Sequence, residues 1–254
     1  PEQMFARNFI FEKVRAASEM FGYQEYDGPF IEPLELYAAK SGEELVKKQS
    51  FTFEDRGGES VALRPELTPS LARMIAAKQG ELNFPARWWS FGPFWRYESP
   101  QRGRTREFFQ WNIDMLGVDS PEADAELIAA GAAFLRSVGL SPSLAQISVN
   151  NRRLMDSQFD ALDIPAEKRV DVSNLVDRRA KMESAKWDAY ALEFGLNQKQ
   201  LDGLKELLGN FDLWKQSEEL TRTFAALEAL GVKDYVKFDP NIMRGLLYYT
   251  GTVF

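Results

Sequence analysis

Apolar residues recur at mixed three- and four-residue intervals over residues 1–21, where Met4, Phe5, Phe9, Val14, Ala17, Met20 and Phe21 fall between charged positions. That spacing predicts an amphipathic helix stopped by Gly22. After an extended stretch containing Gly28-Pro29, the runs 50–54 and 60–64 flank Asp55-Arg56-Gly57-Gly58 and predict a β-hairpin ended by Pro65. Residues 69–79 predict a helix that opens at Pro69 and turns Leu71, Met74 and Ile75 inward. Two aromatic-rich runs, 87–98 and 106–117, are separated by a long basic hairpin loop at 99–105. A helix over 121–138 and a short strand over 146–149 follow. From Asn150 to about Gly231 the texture changes to helical segments rich in Lys, Glu, Asp, Ala and Leu, and the aromatic strand pattern returns at 235–238 and in the run up to Phe254. Hairpin-connected strands with helices beside them predict an α+β fold, a mainly antiparallel sheet flanked by helices. The expected layout is a core over 1–149, a helical insertion over 150–234 and a return to the core over 235–254.

A strand alternates its side chains with period two, so the run after the basic loop sorts onto two faces. Arg106, Phe108, Gln110, Asn112 and Asp114 share one, and Glu107, Phe109, Trp111, Ile113 and Met115 share the other. The second is a core face; the first has the make-up of a site. On the partner strand Phe94, Arg96 and Glu98 share a face, and a symmetric hairpin brings Arg96 near Arg106 and Phe108. Arginines at 96, 102, 104 and 106 then surround one turn, with Phe108 as a flat apolar platform. Guanidinium forks match phosphate oxygens and an aromatic plane stacks on a base. Two readings fit this pattern: a nucleoside triphosphate site, or a solvated basic hairpin that touches RNA backbone or nothing.

Composition narrows the chemistry. The 254 residues include no cysteine and no histidine, which excludes disulfides, Cys and Ser-His nucleophile systems, and any zinc site not built from carboxylates alone. Metal catalysis would mean magnesium. A net charge of -7 argues against a surface that coats nucleic acid or membrane as a whole, and leaves room for a local basic patch. Neither G-x-G-x-x-G nor G-x-x-x-x-G-K-[ST] occurs, so a nucleotide would be held by side chains. No window approaches the roughly 18 apolar residues of a membrane span, which gives the expectation of a soluble, cytoplasmic protein with no membrane partner. Pro1 opens inside a helical pattern and Phe254 stops inside a strand-like run, an arrangement that reads as a piece of something longer.

Two further blocks carry candidate residues. In Leu63-Arg64-Pro65-Glu66-Leu67-Thr68-Pro69, Glu66 could receive an ammonium group, while Thr68 reads first as a helix N-cap before Pro69. In Arg244–Val253, Gly251 within a strand hints at a close approach, and Tyr248 and Tyr249 fit either packing or binding.

With these blocks in place, the chain resembles the catalytic domain of the histidyl-tRNA synthetase family, a class II aminoacyl-tRNA synthetase. Phe94-Trp95-Arg96-Tyr97-Glu98 through Arg104, Phe108 and Gln110 is similar to the second class II signature motif. Leu63–Thr68 is similar to the amino-group-binding block, and Arg244-Gly245-Leu246-Leu247-Tyr248-Tyr249-Thr250-Gly251 to the histidine-specific peptide. Asn150-Asn151-Arg152 and the helical insertion have family counterparts, and Gly28-Pro29 fits the dimer-interface motif. The resemblance implies a six-stranded antiparallel sheet that carries ATP and histidine, with Mg2+ as the accompanying ion. Arg96 would hold the α-phosphate, Phe108 would stack on adenine, and Glu98 and Arg104 would place the triphosphate. Glu66, Thr68 and Gln110 would take the histidine amino group; Asp114 and Tyr249, with Tyr248 beside it, would bind the imidazole. Arg244 would lie against the α-phosphate and carboxylate as they react. The implied protein is a homodimeric cytoplasmic ligase of protein biosynthesis that charges tRNA(His).

Leu247 stands where the family peptide usually has Asp, and Ser99 where an Arg commonly precedes the proline. The family's third motif and anticodon-binding domain would lie beyond Phe254, so exchange by this stretch alone is expected to fall far below that of a longer chain. Two other functions are compatible with the residues: the synthetase-like regulatory subunit of ATP phosphoribosyltransferase, a histidine sensor, and a catalytically dead module that binds RNA or dimerises.

Overall fold

The computed structural model describes residues 1–41, 46, 49–97, 99, 102–243 and 250–254. The chain divides into two compact units, Pro1–Val118 and Asp119–Phe254.

The first unit runs through α1 (Glu2–Met20), β1 (Gln24–Glu25), β2 (Ile31–Pro33), α2 (Leu34–Ser41), β3 (Thr52–Glu54), β4 (Ser60–Leu63), α3 (Thr68–Lys78), β5 (Ala86–Trp95) and β6 (Glu107–Leu116). Helix α1 ends where Gly22 adopts a φ of +78°, a conformation that L side chains resist. The turn between β3 and β4 is closed by Asp55, whose Oδ1 accepts from the amides of Gly57 at 2.7 Å and Glu59 at 3.0 Å. Strands β5 and β6 form a ten-residue antiparallel ladder from Ala86↔Leu116 to Trp95↔Glu107, and β1 adds to it in parallel. Strands β2, β4 and β3 form a second antiparallel group. The backbone of Arg64 joins the two groups: its N–H donates to Phe30 O at 2.8 Å and its carbonyl accepts from Trp95 N at 3.1 Å.

Helix α1 covers the apolar face of the ladder, as the alternation predicts. Phe11 packs on Trp89 and Phe91 with ring centroids 6.1 and 5.7 Å apart, Arg7 lies 4.2 Å over the Phe109 ring, and Trp111 Nε1 donates to Ser18 Oγ at 3.1 Å. Trp89 is fully buried at the centre of this layer. Trp89→Ala is expected to destabilise the chain by about 3–5 kcal/mol in chemical denaturation; a loss under about 1 kcal/mol would show that α1 does not seal this face.

Two expectations need correction. Helix α3 begins at Thr68, not Pro69, and its N-cap is Leu67, which provides no side-chain cap. Buried Leu67 anchors the entry through its side chain and accepts from Leu71 N at 2.9 Å, and Pro69 has no N–H that needs a cap, so Thr68 is left exposed in the first turn. The hairpin loop is also wider than 99–105. The strands proper end at Trp95 and Glu107, with one further bond from Arg96 N to Arg106 O at 2.9 Å.

In the second unit come α4 (Pro121–Ser137), β7 (Ile147–Asn151), α5 (Arg152–Ala161), α6 (Arg169–Arg179), α7 (Ser184–Glu193), α8 (Gln198–Gly209), α9 (Glu218–Ala229), β8 (Val236–Phe238) and β9 (Thr252–Val253). Helices α4, α5 and α8 start on side-chain caps: Ser120 Oγ accepts from Ala123 N, Asn151 Oδ1 from Leu154 N, and Asn197 with Gln200 forms a reciprocal capping box. Strand β7 pairs in parallel with β8 and antiparallel with β9. A bidentate pair, Arg222 to Glu122 at 2.9 and 2.8 Å, links α9 to α4.

Candidate functional site

Residues that face each other across β5 and β6 share a side of the ladder. Phe94 opposes Phe108, Gly92 opposes Gln110, Ser90 opposes Asn112, and Trp88 opposes Asp114. Rings therefore stand on either side of the middle of this face, and the small residues Gly92 and Ser90 lie across from its two amides. Asn112 Nδ2 is buried and has no partner among the described residues.

At one end, Arg96 Nε donates to Pro65 O at 3.0 Å, and its Cζ lies 5.0 Å from the Phe108 centroid. That bond brings the Leu63–Thr68 block, and with it Glu66, beside the hairpin. No carboxylate takes the two Nη groups of Arg96 among the described residues. A half-buried guanidinium with its fork unspent is suited to an anion.

The four arginines settle differently around the turn. Arg106 lies over the Tyr97 ring at 4.3 Å, and Arg102 and Arg104 are exposed on the turn. Tyr97, held edge-on by Phe51 at 5.3 Å, offers a cation–π surface at the strand end. Arg96 is the arginine placed against Phe108.

At the other end, Asp114 accepts from Tyr26 Oη at 3.3 Å, and Tyr26 leans on Trp88 with centroids 5.5 Å apart. Burial pushes the Asp114 carboxyl up to about 6, against a smaller lowering by the Tyr26 hydrogen bond. Burial, then the Asp114 charge, hold the Tyr26 hydroxyl well above its usual range, so it remains a donor.

Against Gly92, on this same face of the ribbon, lies Arg64, fully buried. Its Nε donates to Pro93 O at 3.0 Å, and its Nη1 to Asp27 Oδ1 at 2.5 Å and Gly28 O at 2.9 Å. Phe30 and Phe94 lie 4.4 and 4.6 Å from its Cζ. Its Nη2 has no partner among the described residues.

The structure thus brings Arg96, Phe108, Gln110 and Asp114 onto one ribbon face and sets Glu66 next to it. Thr68 is exposed on α3 and Arg104 on the turn. Glu98, Arg244, Tyr248 and Tyr249 lie outside the described residues. Tyr26, Arg64 and Gly92 belong to the arrangement and were not singled out from sequence. Tyr26 meets Asp114 across 88 positions of chain, which no local pattern reports. The described residues contain no group of three or more metal-ligating side chains. A cavity of 210 Å³ in the second unit, lined by Leu162, Gly203, Leu207 and Leu213 among others, holds none of the expected site residues.

A family model described as histidyl-tRNA synthetase matches residues 1–254. Histidine–tRNA ligase of Haloarcula marismortui is 38% identical over 272 residues, which cover 100% of this chain and 61% of that protein. Among solved structures, histidyl-tRNA synthetase from Nostoc sp. PCC 7120 superposes with a TM-score of 0.84 at 24% identity, over 98% of this chain and 60% of the other. An ATP phosphoribosyltransferase regulatory subunit/histidyl-tRNA synthetase from Bacillus halodurans C does so with a TM-score of 0.83 at 21% identity, over 99% and 68%. These likenesses bear out the expected α+β class II synthetase fold.

Proposed function

The chain belongs to the histidyl-tRNA synthetase family, and from that premise we propose that it activates histidine with ATP and passes the histidyl group to tRNA(His). The observation that carries the reading is the ribbon: Arg96 sits over Phe108, its two Nη groups without a carboxylate partner among the described residues, on the same face as Gln110 and Asp114. A carboxylate oxygen of histidine attacks the α-phosphorus of ATP, one O–P bond forms, and the bond to pyrophosphate breaks. No proton moves and no protein nucleophile is needed, which suits a chain without histidine or cysteine. What the step requires is in-line placement and neutralised charge.

In this reading Arg96 holds the α-phosphate, Phe108 supports the adenine, and Glu98 and Arg104 place the triphosphate. Glu66, Thr68 and Gln110 take the amino group, and Asp114, with Tyr248 and Tyr249, takes the imidazole. Arg244 is assigned to the reacting carboxylate and phosphate. Magnesium, when bound, would offset the charge of the triphosphate. An acidic residue that accepts an imidazole N–H also gives selectivity, because an apolar competitor would leave it unpaired.

The same reading makes the protein a homodimer, supported by Phe30 and Ile31, 47% and 50% exposed beside Gly28-Pro29. It makes 150–234 an insertion, supported by the pairing of β7 with β8, which flank that stretch. No described helix is long and apolar enough to cross a membrane, and we place the protein in the cytoplasm. The chain spans about 61% of the length of the relative it matches, so the activity proposed is that of the whole protein.

Histidine-dependent ATP–pyrophosphate exchange by the whole protein that contains this chain tests the reading. Exchange that requires both ATP and histidine is the expected result. Tight histidine binding without exchange would instead favour the regulatory-subunit reading, a term that the name of the Bacillus halodurans protein includes.

A further inference from the structure

We infer that Arg64 is a positioning residue for the amino-acid end of the site: it fixes the block that carries Glu66 against the strand pair that carries Gln110, and the missing side chain at Gly92 is what lets it sit there. This rests on the function proposed above and adds to it a residue with no assigned part.

The geometry is specific. A Cβ built on Gly92 would lie 2.7 Å from Arg64 Nη2, closer than real Cβ atoms approach, so the guanidinium occupies the space that any side chain at 92 would need. Gly92 is the cross-strand partner of Gln110, which places that space on the ribbon face that carries Gln110. From there Arg64 reaches three segments at once: Asp27 and Gly28 before β2, Pro93 in β5, and through its backbone both Phe30 and Trp95. The next residue but one is Glu66, and Pro65 between them receives Arg96. A shift of the guanidinium therefore moves Glu66 relative to Gln110 directly, and reaches Arg96 only through the Pro65 carbonyl that Arg96 Nε bonds.

Nη2, which has no partner among the described residues, separates this from simple packing. A guanidinium retained only to fill space would be replaceable by an apolar side chain of similar length, because a buried cation with an unmet donor is a costly filler. Its planar fork, by contrast, meets Pro93, Gly28 and Asp27 in one rigid geometry that neither lysine nor methionine reproduces.

The test measures histidine and ATP affinities separately by calorimetry on the whole protein that contains this chain, with thermal melting alongside. Gly92→Ala and Arg64→Lys are each expected to weaken histidine binding at least tenfold while ATP affinity moves less than threefold. The double variant Arg64→Met with Gly92→Ala, which refills the space with apolar atoms, is expected to recover melting temperature and not histidine affinity. Gly92→Ala with unchanged histidine affinity, or a double variant that binds histidine like the parent, overturns the inference alone. A whole parent protein that binds neither ligand overturns the proposed function and this inference with it. Equal losses for both ligands would mark Arg64 as a general structural tie and also overturn it.

Discussion

Arg96→Ala is expected to lower histidine-dependent pyrophosphate exchange by about 10³-fold, the scale on which arginines that neutralise a phosphoryl-transfer transition state act. Histidine affinity should stay within about threefold, because the change removes charge at the phosphate and leaves the amino-acid groups in place. The basis is the division of labour in one side chain. Nε is committed to Pro65 O at 3.0 Å, which fixes the plane of the guanidinium, and the two Nη groups have no protein acceptor among the described residues. Arg96→Lys tests the fork itself. A lysine keeps the charge but cannot bond Pro65 and two phosphate oxygens at once, and should retain only a few per cent of the parent rate. Exchange within about threefold of the parent for Arg96→Ala would mean that Arg96 merely ties the hairpin to Pro65.

Much of this site was legible from the alternation in one strand. Period two alone separated Phe108, Gln110, Asn112 and Asp114 from the core-facing Phe109, Trp111, Ile113 and Met115, and hairpin symmetry placed Arg96 opposite Arg106, where the ladder's last bond falls. What the strand pattern could not convey was how long side chains settle at its end. Arg106 turned to the Tyr97 ring because an aromatic face lay within reach, a contact decided by rotamers. Thr68 lost its expected cap because a buried neighbour, Leu67, set the helix entry. Arg64 was hidden for a different reason: a charged residue at the end of a strand reads as surface, and its burial depends on a glycine 28 positions later in the chain that packs against it. Pairings of that separation are products of the fold and have no local signature.

The pH dependence of histidine binding should pass through Asp114. Its carboxyl is pushed up to about 6 by burial, so the folded chain keeps a proton that the unfolded chain, near 3.8, has already lost. Stability contributed at this position is therefore greatest at low pH, falls as pH rises from about 4 to about 6, and is constant above that, by at most about 3 kcal/mol. Asp114→Asn removes the titration. The unliganded variant should melt with the parent below pH 4 and above it at neutral pH. Binding moves the other way. At neutral pH the ionised carboxylate accepts an imidazole N–H, and its loss should weaken histidine about 10- to 100-fold. In the parent, affinity should fall as pH drops below about 6; the ligand's own imidazole titrates in both proteins, so the parent-minus-variant difference isolates Asp114. Tyr26→Phe supplies the sign check. Loss of the 3.3 Å hydrogen bond removes a lowering influence, and the parent's acid limb should move to higher pH. A limb that stays put, or an Asn variant that binds histidine as the parent does, would take Asp114 out of imidazole recognition.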